Sequence, residues 1–147
     1  MYTCAVFGHR NYPYENLKMQ IKDSLVDLIE NYHVSQFYCG ARGKFDWICA
    51  QCIYELKQQY PFLQCIHVWS YIPQKDEGQQ IYFDASVYLL EKWVAPVYAI
   101  VETNKKMVDK ADYILSGVMH GWGGACAAVE YAVKKEKKVI SIFSEEK

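Results

Sequence analysis

The chain has 147 residues, 52% of them hydrophobic and 22% charged, and its formal net charge is −1. This length and hydrophobic content suffice for a buried core, so we expect one domain over residues 1–147. The near-zero net charge argues against a nucleic-acid-binding protein, and no apolar run is long enough to span a membrane. The N-terminal residues lack the pattern of a secretion signal, which favours a cytoplasmic protein.

Cysteine usage favours packing over metal binding. Of the six cysteines, only Cys49 and Cys52 have the spacing of a redox or zinc motif. No second pair or histidine completes a zinc site, and both cysteines fall on one apolar face of a predicted helix. We therefore expect them to be buried hydrophobes, with a redox or metal role as the alternative, and we predict no metal site.

The first unit of the chain is a strand, a charged tip and a helix. The apolar run Tyr2–Phe7 predicts a strand, and Gly8, His9 and Arg10 follow it directly. Leucines and isoleucines then recur at helical spacing from Glu15 to Tyr32. The carboxyl end of the first strand is therefore expected to carry a glycine, an imidazole and a guanidinium.

A second unit repeats this order. Gln36–Cys39 is a short predicted strand, and the loop Gly40–Asp46 places Arg42 between two glycines before a helix that runs to about Tyr60. Charged side chains among glycines are unusual in a loop that only connects two elements. We predict ligand contacts here, although Asp46 could instead be a helix N-cap in a solvated turn.

The middle of the chain is less regular. Leu63–Val68 predicts a third strand, and the polar segment Trp69–Gln80 predicts a loop that could lie over a site. We interpret Phe83–Tyr88 as a short edge strand and Leu89–Trp93 as a turn of helix. Apolar residues spaced through Ala99–Lys110 indicate another helix.

The last part of the chain contains a candidate anion site. Tyr113–Val118 predicts a strand, Gly121–Gly124 a glycine-rich turn, and the small residues Ala125–Ala132 a helix. Glycines let backbone amides approach a ligand, and a helix start favours phosphate or carboxylate. Because many turns need glycine only to change direction, the pattern alone leaves both interpretations open. Val139–Phe143 predicts a closing strand, preceded by lysines that complement a helix C-terminus.

Alternating strands and helices indicate an α/β fold with a mostly parallel sheet and helices on both faces. Such sheets bind ligands at the carboxyl ends of their strands. The three tips, at residues 8–10, 40–46 and 121–124, are therefore expected to meet at one edge of the sheet. Together they would supply two arginines, a lysine and a helix N-terminus, which suits a phosphate-bearing, nucleotide-like ligand.

Four motifs, taken in order, resemble a known family. They are Gly8-His9-Arg10, Gly40-Ala41-Arg42-Gly43-Lys44-Phe45-Asp46-Trp47, Asn104-Lys105-Lys106-Met107-Val108-Asp109 and Trp122-Gly123-Gly124-Ala125. Their order and spacing resemble the YpsA-like branch of the SLOG superfamily over nearly the whole chain. Members of that superfamily include the DNA-processing DprA proteins and the cytokinin-activating LOG phosphoribohydrolases.

The resemblance implies a Rossmann-like three-layer sandwich with a pocket for a nucleotide or nucleotide derivative. With the glycine turn included, the predicted ligand-binding residues are Gly8, His9, Arg10, Gly40, Arg42, Gly43, Asp46, Gly121, Gly123 and Gly124. The leading prediction is a cytoplasmic protein that binds or senses AMP, ADP-ribose, an NAD-like molecule or a related phosphate ligand. Trp122 or Tyr82 could stack on its base. The family also allows a homodimer.

The alternative prediction is a nucleoside-monophosphate phosphoribohydrolase of the LOG type. Such an enzyme needs a general acid or base, for which His9, Asp46 and Glu130 are the candidates. However, Ala125 and Ala128 stand where a hydrolase of this family is expected to have polar groups. These differences favour binding over hydrolysis.

Overall fold

The computed structural model describes residues 1–71 and 81–143. The predicted loop Trp69–Gln80 falls for the most part outside these ranges. The strands they contain are β1 (Tyr2–Gly8), β2 (Val34–Cys39), β3 (Gln64–Trp69), β4 (Ala85–Tyr88), β5 (Tyr113–Gly117) and β6 (Lys138–Ser141). The α-helices are α1 (Lys18–Asn31), α2 (Lys44–Leu56), α3 (Pro96–Lys110) and α4 (Gly124–Lys134), and a short 3-10 turn at Tyr14–Leu17 leads into α1.

The sheet has the strand order β4-β3-β2-β1-β5-β6, and every neighbouring pair is parallel. From β1 the chain adds strands outward to β4 and then returns to the other side of β1 with β5. The order therefore reverses between β1 and β5, which is the position where doubly wound sheets bind ligands. The predicted α/β fold with a mostly parallel sheet is confirmed.

Alternate residues of β1 face opposite sides of the sheet and take part in two separate cores. Cys4 and Val6 pack in a cluster with residues of α1 and α2, whereas Ala5 and Phe7 pack with residues of α3 and α4. A strand that is covered on both faces must be apolar at successive positions, which explains its unbroken hydrophobic run. The result is a three-layer sandwich with the sheet in the middle.

The cysteines take part in packing. All six are buried and free, and Cys49 and Cys52 lie in the core face of α2, which confirms the packing interpretation. Within residues 1–71 and 81–143, no group of three His, Cys, Asp or Glu side chains could hold a metal ion. In the same ranges, no helix combines the length and the apolar character needed to cross a membrane.

The segment between β4 and α3 differs from its prediction. The edge strand is present as β4, but Leu89–Trp93 contains no helix. Pro96 occupies the first turn of α3, and Ala95 before it is extended, with φ −57° and ψ 139°. The proline ring excludes helical backbone at the preceding residue and suits the first turn of a helix. Proline therefore begins this helix, ahead of the predicted start at Ala99, and does not end an earlier one.

The ring of Phe45 joins α2 to the ends of β1 and β5. A Cβ atom added to Gly8 would lie 2.2 Å from Cγ of Phe45, and one added to Gly117 would lie 2.4 Å from its Cε1. The ring of Tyr14 packs against Phe45 with a centroid distance of 4.9 Å. Its hydroxyl accepts the backbone N–H of His9 at 2.8 Å and donates to the carbonyl of Gly117 at 2.5 Å. Glycine at both strand ends leaves the room that the Phe45 ring occupies.

We expect Gly8→Ala to lower the free energy of unfolding by about 1–3 kcal/mol, because the new methyl group overlaps the Phe45 ring. Gly121→Ala is the matched control, since beyond the two adjacent residues no atom of residues 1–71 and 81–143 lies within 4 Å of a Cβ added there. Its effect should stay within about 0.5 kcal/mol. Urea denaturation of the two variants and the wild type measures both changes, and equal stability of Gly8→Ala and wild type would contradict the tight contact.

Candidate functional site

A cleft of about 230 Å³ lies at the carboxyl end of β1, between the loop that follows β2 and the start of α4. The helix α4 follows β5, so the cleft lies beside the point where the strand order reverses. All of the predicted ligand-binding residues except Gly121 line it. Ile100, Asn104 and Met107 of α3 complete its wall, together with Ala125 at the start of α4. The three tips that the sequence places at separate strand ends therefore meet around one cavity.

The start of α4 presents backbone amides at this cleft. Gly123 is the N-cap residue, with φ +99°, a backbone conformation that favours glycine. Gly123 supplies no side chain to cap the helix, and the first amides of a helix have no acceptor within it. Because Gly123 and Gly124 line the cleft, these amides and the positive end of the helix dipole are available to an anion.

The two arginines of the cleft have different environments. Arg42 is half-buried, and its guanidinium donates to Oγ of Ser70 at 2.8 Å and to Oδ1 of Asn104 at 2.5 Å. Burial lowers the pKa of Arg42. Arg10 is exposed, and its side chain forms no hydrogen bond or ion pair with any residue of 1–71 and 81–143. Arg42 thus ties the ends of β2 and β3 to α3, while Arg10 remains available to a ligand.

Asp46 lies in the first turn of α2, and the N-cap interpretation for it is wrong. The N-cap residue is Gly43, and the Asp46 carboxylate accepts the backbone N–H of Arg42 at 2.9 Å. Burial raises the pKa of Asp46 to about 6, although the Arg42 amide and the charges of Arg42 and Arg10 oppose the shift. The cleft therefore holds a carboxyl group that titrates near neutral pH.

His9 is buried and acts as a hydrogen-bond acceptor. Its Nε2 accepts the backbone N–H groups of Met119 at 2.7 Å and His120 at 3.2 Å. Because Nε2 accepts these N–H groups, it carries no proton, which assigns the neutral ring with its proton on Nδ1. Burial and the neighbouring His120 lower the pKa of His9, in the same direction. With Nε2 occupied in this way, His9 is a poor candidate for a general acid or base, and its contacts hold the loop between β5 and α4.

Three further residues from the sequence predictions lie outside the cleft. Gly121 does not line it, and Glu130 is exposed on α4, where its carboxylate contacts Sγ of Cys126 at 3.6 Å. Tyr82 packs edge-to-face on Tyr54 with a centroid distance of 5.4 Å, away from the cleft. These positions leave Asp46 as the candidate acid or base that the cleft contains.

Sequence reasoning did not assign Ser70 or Asn104 to the site. Asn104 belongs to one of the four recognised motifs, so that motif could have drawn attention to it. Ser70 follows β3 with no special pattern around it. Beside these residues a second cavity of about 410 Å³ continues from Arg42 past Trp69 and Tyr71.

No protein-family model matches the sequence, and a comparison with curated proteins gave no match. Solved structures share the fold. The protein TM1055 superimposes with a TM-score of 0.65 at 15% identity, over 95% of this chain and 72% of that one. DNA processing protein A (DprA) from Helicobacter pylori gives a TM-score of 0.63 at 15% identity, over 95% of this chain and 64% of DprA.

The molybdenum cofactor carrier protein from Chlamydomonas reinhardtii gives a TM-score of 0.57 at 14% identity, over 95% of this chain and 75% of the carrier. These neighbours are members of the SLOG superfamily, so the fold implied by the sequence resemblance is confirmed. Identities this low establish the fold alone. The YpsA-like branch stays a prediction.

We expect Asp46→Asn to stabilise the protein at pH 7.5 but not at pH 4.5. The pKa of Asp46 is raised from 3.8 to about 6, so the unfolded chain loses this proton at a lower pH than the folded protein does. Stability is therefore lost as the pH rises from about 4 to 6, by on the order of 2 kcal/mol. Asparagine avoids this loss and still accepts the Arg42 amide. Chemical denaturation at the two pH values measures the difference.

Asp23→Asn is the control for this experiment, because it removes the same charge from an exposed position on α1. It should give no comparable gain between the two pH values. If Asp46→Asn is less stable than wild type at pH 7.5, the ionised carboxylate is favourable in the fold and the expectation is wrong.

Proposed function

We propose that this protein binds a nucleotide or a nucleotide-derived phosphate ligand in the cleft, as a binding protein or sensor. The observation that carries this proposal is that an exposed arginine and the N-termini of α2 and α4 converge on one cavity at the strand-order reversal. Each of these features favours an anion. Together they supply the charge and the backbone amides that a phosphate group requires.

In this proposal the phosphate lies at the start of α4 beside Arg10. Gly123 and Gly124 allow their amides to approach the anion, and the Arg10 guanidinium can turn toward it because no described residue holds it elsewhere. Arg42 adds positive potential while its hydrogen bonds to Ser70 and Asn104 keep the cleft wall in place. In this proposal Arg10 is the cation that contacts the ligand, and Arg42 is the cation that holds the wall of the cleft.

The structural neighbours support ligand binding at a coarse level, but they differ in what they bind. The Helicobacter pylori DprA binds single-stranded DNA, and the Chlamydomonas protein carries the molybdenum cofactor. A net charge of −1 supplies little attraction for a polyanion, so we favour the small phosphate ligand for this chain.

We expect AMP, ADP, ADP-ribose or NAD to raise the melting temperature of the wild type, because a ligand that binds only the folded state stabilises it. Arg10→Ala should weaken the binding about 10- to 100-fold, since hydrogen bonds to a charged group contribute about 1.5–3 kcal/mol. Thermal-shift titrations with these ligands and with ribose 5-phosphate measure both effects.

Lys44→Ala is the matched control, since Lys44 pairs with Glu15 at 2.9 Å and does not line the cleft. Removing its charge should leave the ligand affinity within about twofold. The proposal loses its support if no nucleotide raises the melting temperature, or if Arg10→Ala responds as the wild type does.

A second candidate function is hydrolysis of the N-glycosidic bond of a nucleoside monophosphate, and Asp46 is the observation that favours it. Its carboxyl group lines the cleft, and its pKa of about 6 leaves part of the population protonated near neutral pH. A protonated carboxyl group could donate to the departing base.

If the protein is such a hydrolase, it should release adenine from AMP, as chromatography of the reaction mixture would detect. Asp46→Asn should lose this activity by at least about 100-fold, within the usual range for removal of a general acid. Glu130→Gln is the control and should keep full activity, because Glu130 lies outside the cleft. Activity retained in Asp46→Asn would exclude Asp46 as the acid.

A further inference from the structure

We propose that the outer face of Trp122 is a ring-binding subsite, on which the base of a mononucleotide stacks while its phosphate occupies the start of α4. This inference rests on the proposed function and names the part of the ligand that gives selectivity. Its evidence is a stack of three aromatic rings at the edge of the cleft.

The stack consists of His9, His120 and Trp122. The rings of His9 and His120 lie 3.5 Å apart between centroids at an interplanar angle of 17°. The rings of His120 and Trp122 lie 3.6 Å apart at 16°. At the inner end of the stack, His9 is buried and bonded through Nε2 to the loop that carries Trp122. The indole is therefore held in one orientation by contacts that reach into the core.

Trp122 is nevertheless 68% exposed. One face of its ring covers His120, so the opposite face is the one left to solvent. A large aromatic side chain that is both exposed and held in place loses little conformational entropy when it binds a flat partner. Trp93 provides the contrast, since it is 83% exposed and makes no ring contact within residues 1–71 and 81–143.

Trp122 lies next to the proposed phosphate site. Trp122 lines a cavity of about 400 Å³ that shares His9, Arg10 and Gly123 with the main cleft. The two cavities are therefore adjacent, with Arg10 common to both. A ligand with one anionic group and one planar ring can place the anion at the α4 amides and the ring on the indole.

Trp69, in the second cavity, is less suited to this role. It is half-buried, and its indole N–H donates to Nδ1 of His67 at 2.6 Å. Its ring meets His67 edge-on, at an interplanar angle of 85°. Trp69 thus takes part in packing at the end of β3, whereas Trp122 presents a flat face at the rim of the cleft.

A mononucleotide fits this surface better than single-stranded DNA does. Proteins that bind single strands combine a row of cations with several successive stacking rings. The cavity lined by Trp122 contains one cation, Arg10, and the net charge of the chain is −1. One ring and one cation match one base and one phosphate.

The test compares ligands with and without a base by isothermal titration calorimetry. Trp122→Ala should weaken the binding of AMP and ADP-ribose by about 5- to 100-fold, the range expected for loss of one stacked base. The affinity for ribose 5-phosphate should stay within about twofold, because that ligand has no ring to stack. Trp122→Phe should retain most of the AMP affinity, and Trp93→Ala, the exposed-tryptophan control, should leave all affinities unchanged.

Four results would overturn the inference. Equal losses for AMP and ribose 5-phosphate in Trp122→Ala would mean that Trp122 only shapes the loop, and an unchanged AMP affinity would mean that no base stacks there. Binding of an oligothymidylate that depends on Trp122, without binding of AMP, would assign the surface to single-stranded DNA. The proposed function survives the first two results, whereas a wild type that binds none of AMP, ADP, ADP-ribose, NAD and ribose 5-phosphate overturns both proposals.

Discussion

The packing of the Phe45 ring between Gly8 and Gly117 is the contact on which the candidate site depends. Without side chains at these two positions, α2 can approach the ends of β1 and β5 closely enough to place its N-terminus at the strand-order reversal. Tyr14 reinforces the contact, because it packs on the ring and its hydroxyl bonds both strand ends. The cleft exists because three elements meet at one buried aromatic ring.

The charged residues of the cleft differ in their surroundings, since some are hydrogen-bonded within its wall and one is exposed at its rim. The half-buried Arg42 is held by hydrogen bonds from its guanidinium to Ser70 and Asn104 and from its backbone N–H to Asp46. This network keeps the polar groups of the cleft wall hydrogen-bonded. Asp46 is buried at a cost to its ionised form, which raises the pKa of its carboxyl group to about 6. Arg10, at the rim, carries the charge that a ligand can reach.

The loop between β5 and α4 owes its conformation to His9. The imidazole of His9, at the end of β1, accepts hydrogen bonds from two backbone amides of this loop and stacks on the ring of His120. A residue that follows another strand therefore positions the glycine turn and Trp122. With Nε2 occupied by these two amides, the same histidine is a poor candidate for a general acid or base. The position of the glycine turn and the hydrogen-bonded state of the His9 imidazole therefore follow from one set of contacts.

The sequence by itself determined the alternation of strands and helices, the buried cysteines and the meeting of the three tips, because apolar periodicity and glycine placement are local signals. It misplaced the helix around Leu89–Trp93, since a proline can begin a helix as well as end one. Only the tertiary structure decided how the tips differ in role. Arg42 bonds residues 28 and 62 positions away, and His9 bonds one 110 positions away. Such partners leave no local pattern, because they come together only when the sheet aligns distant strands.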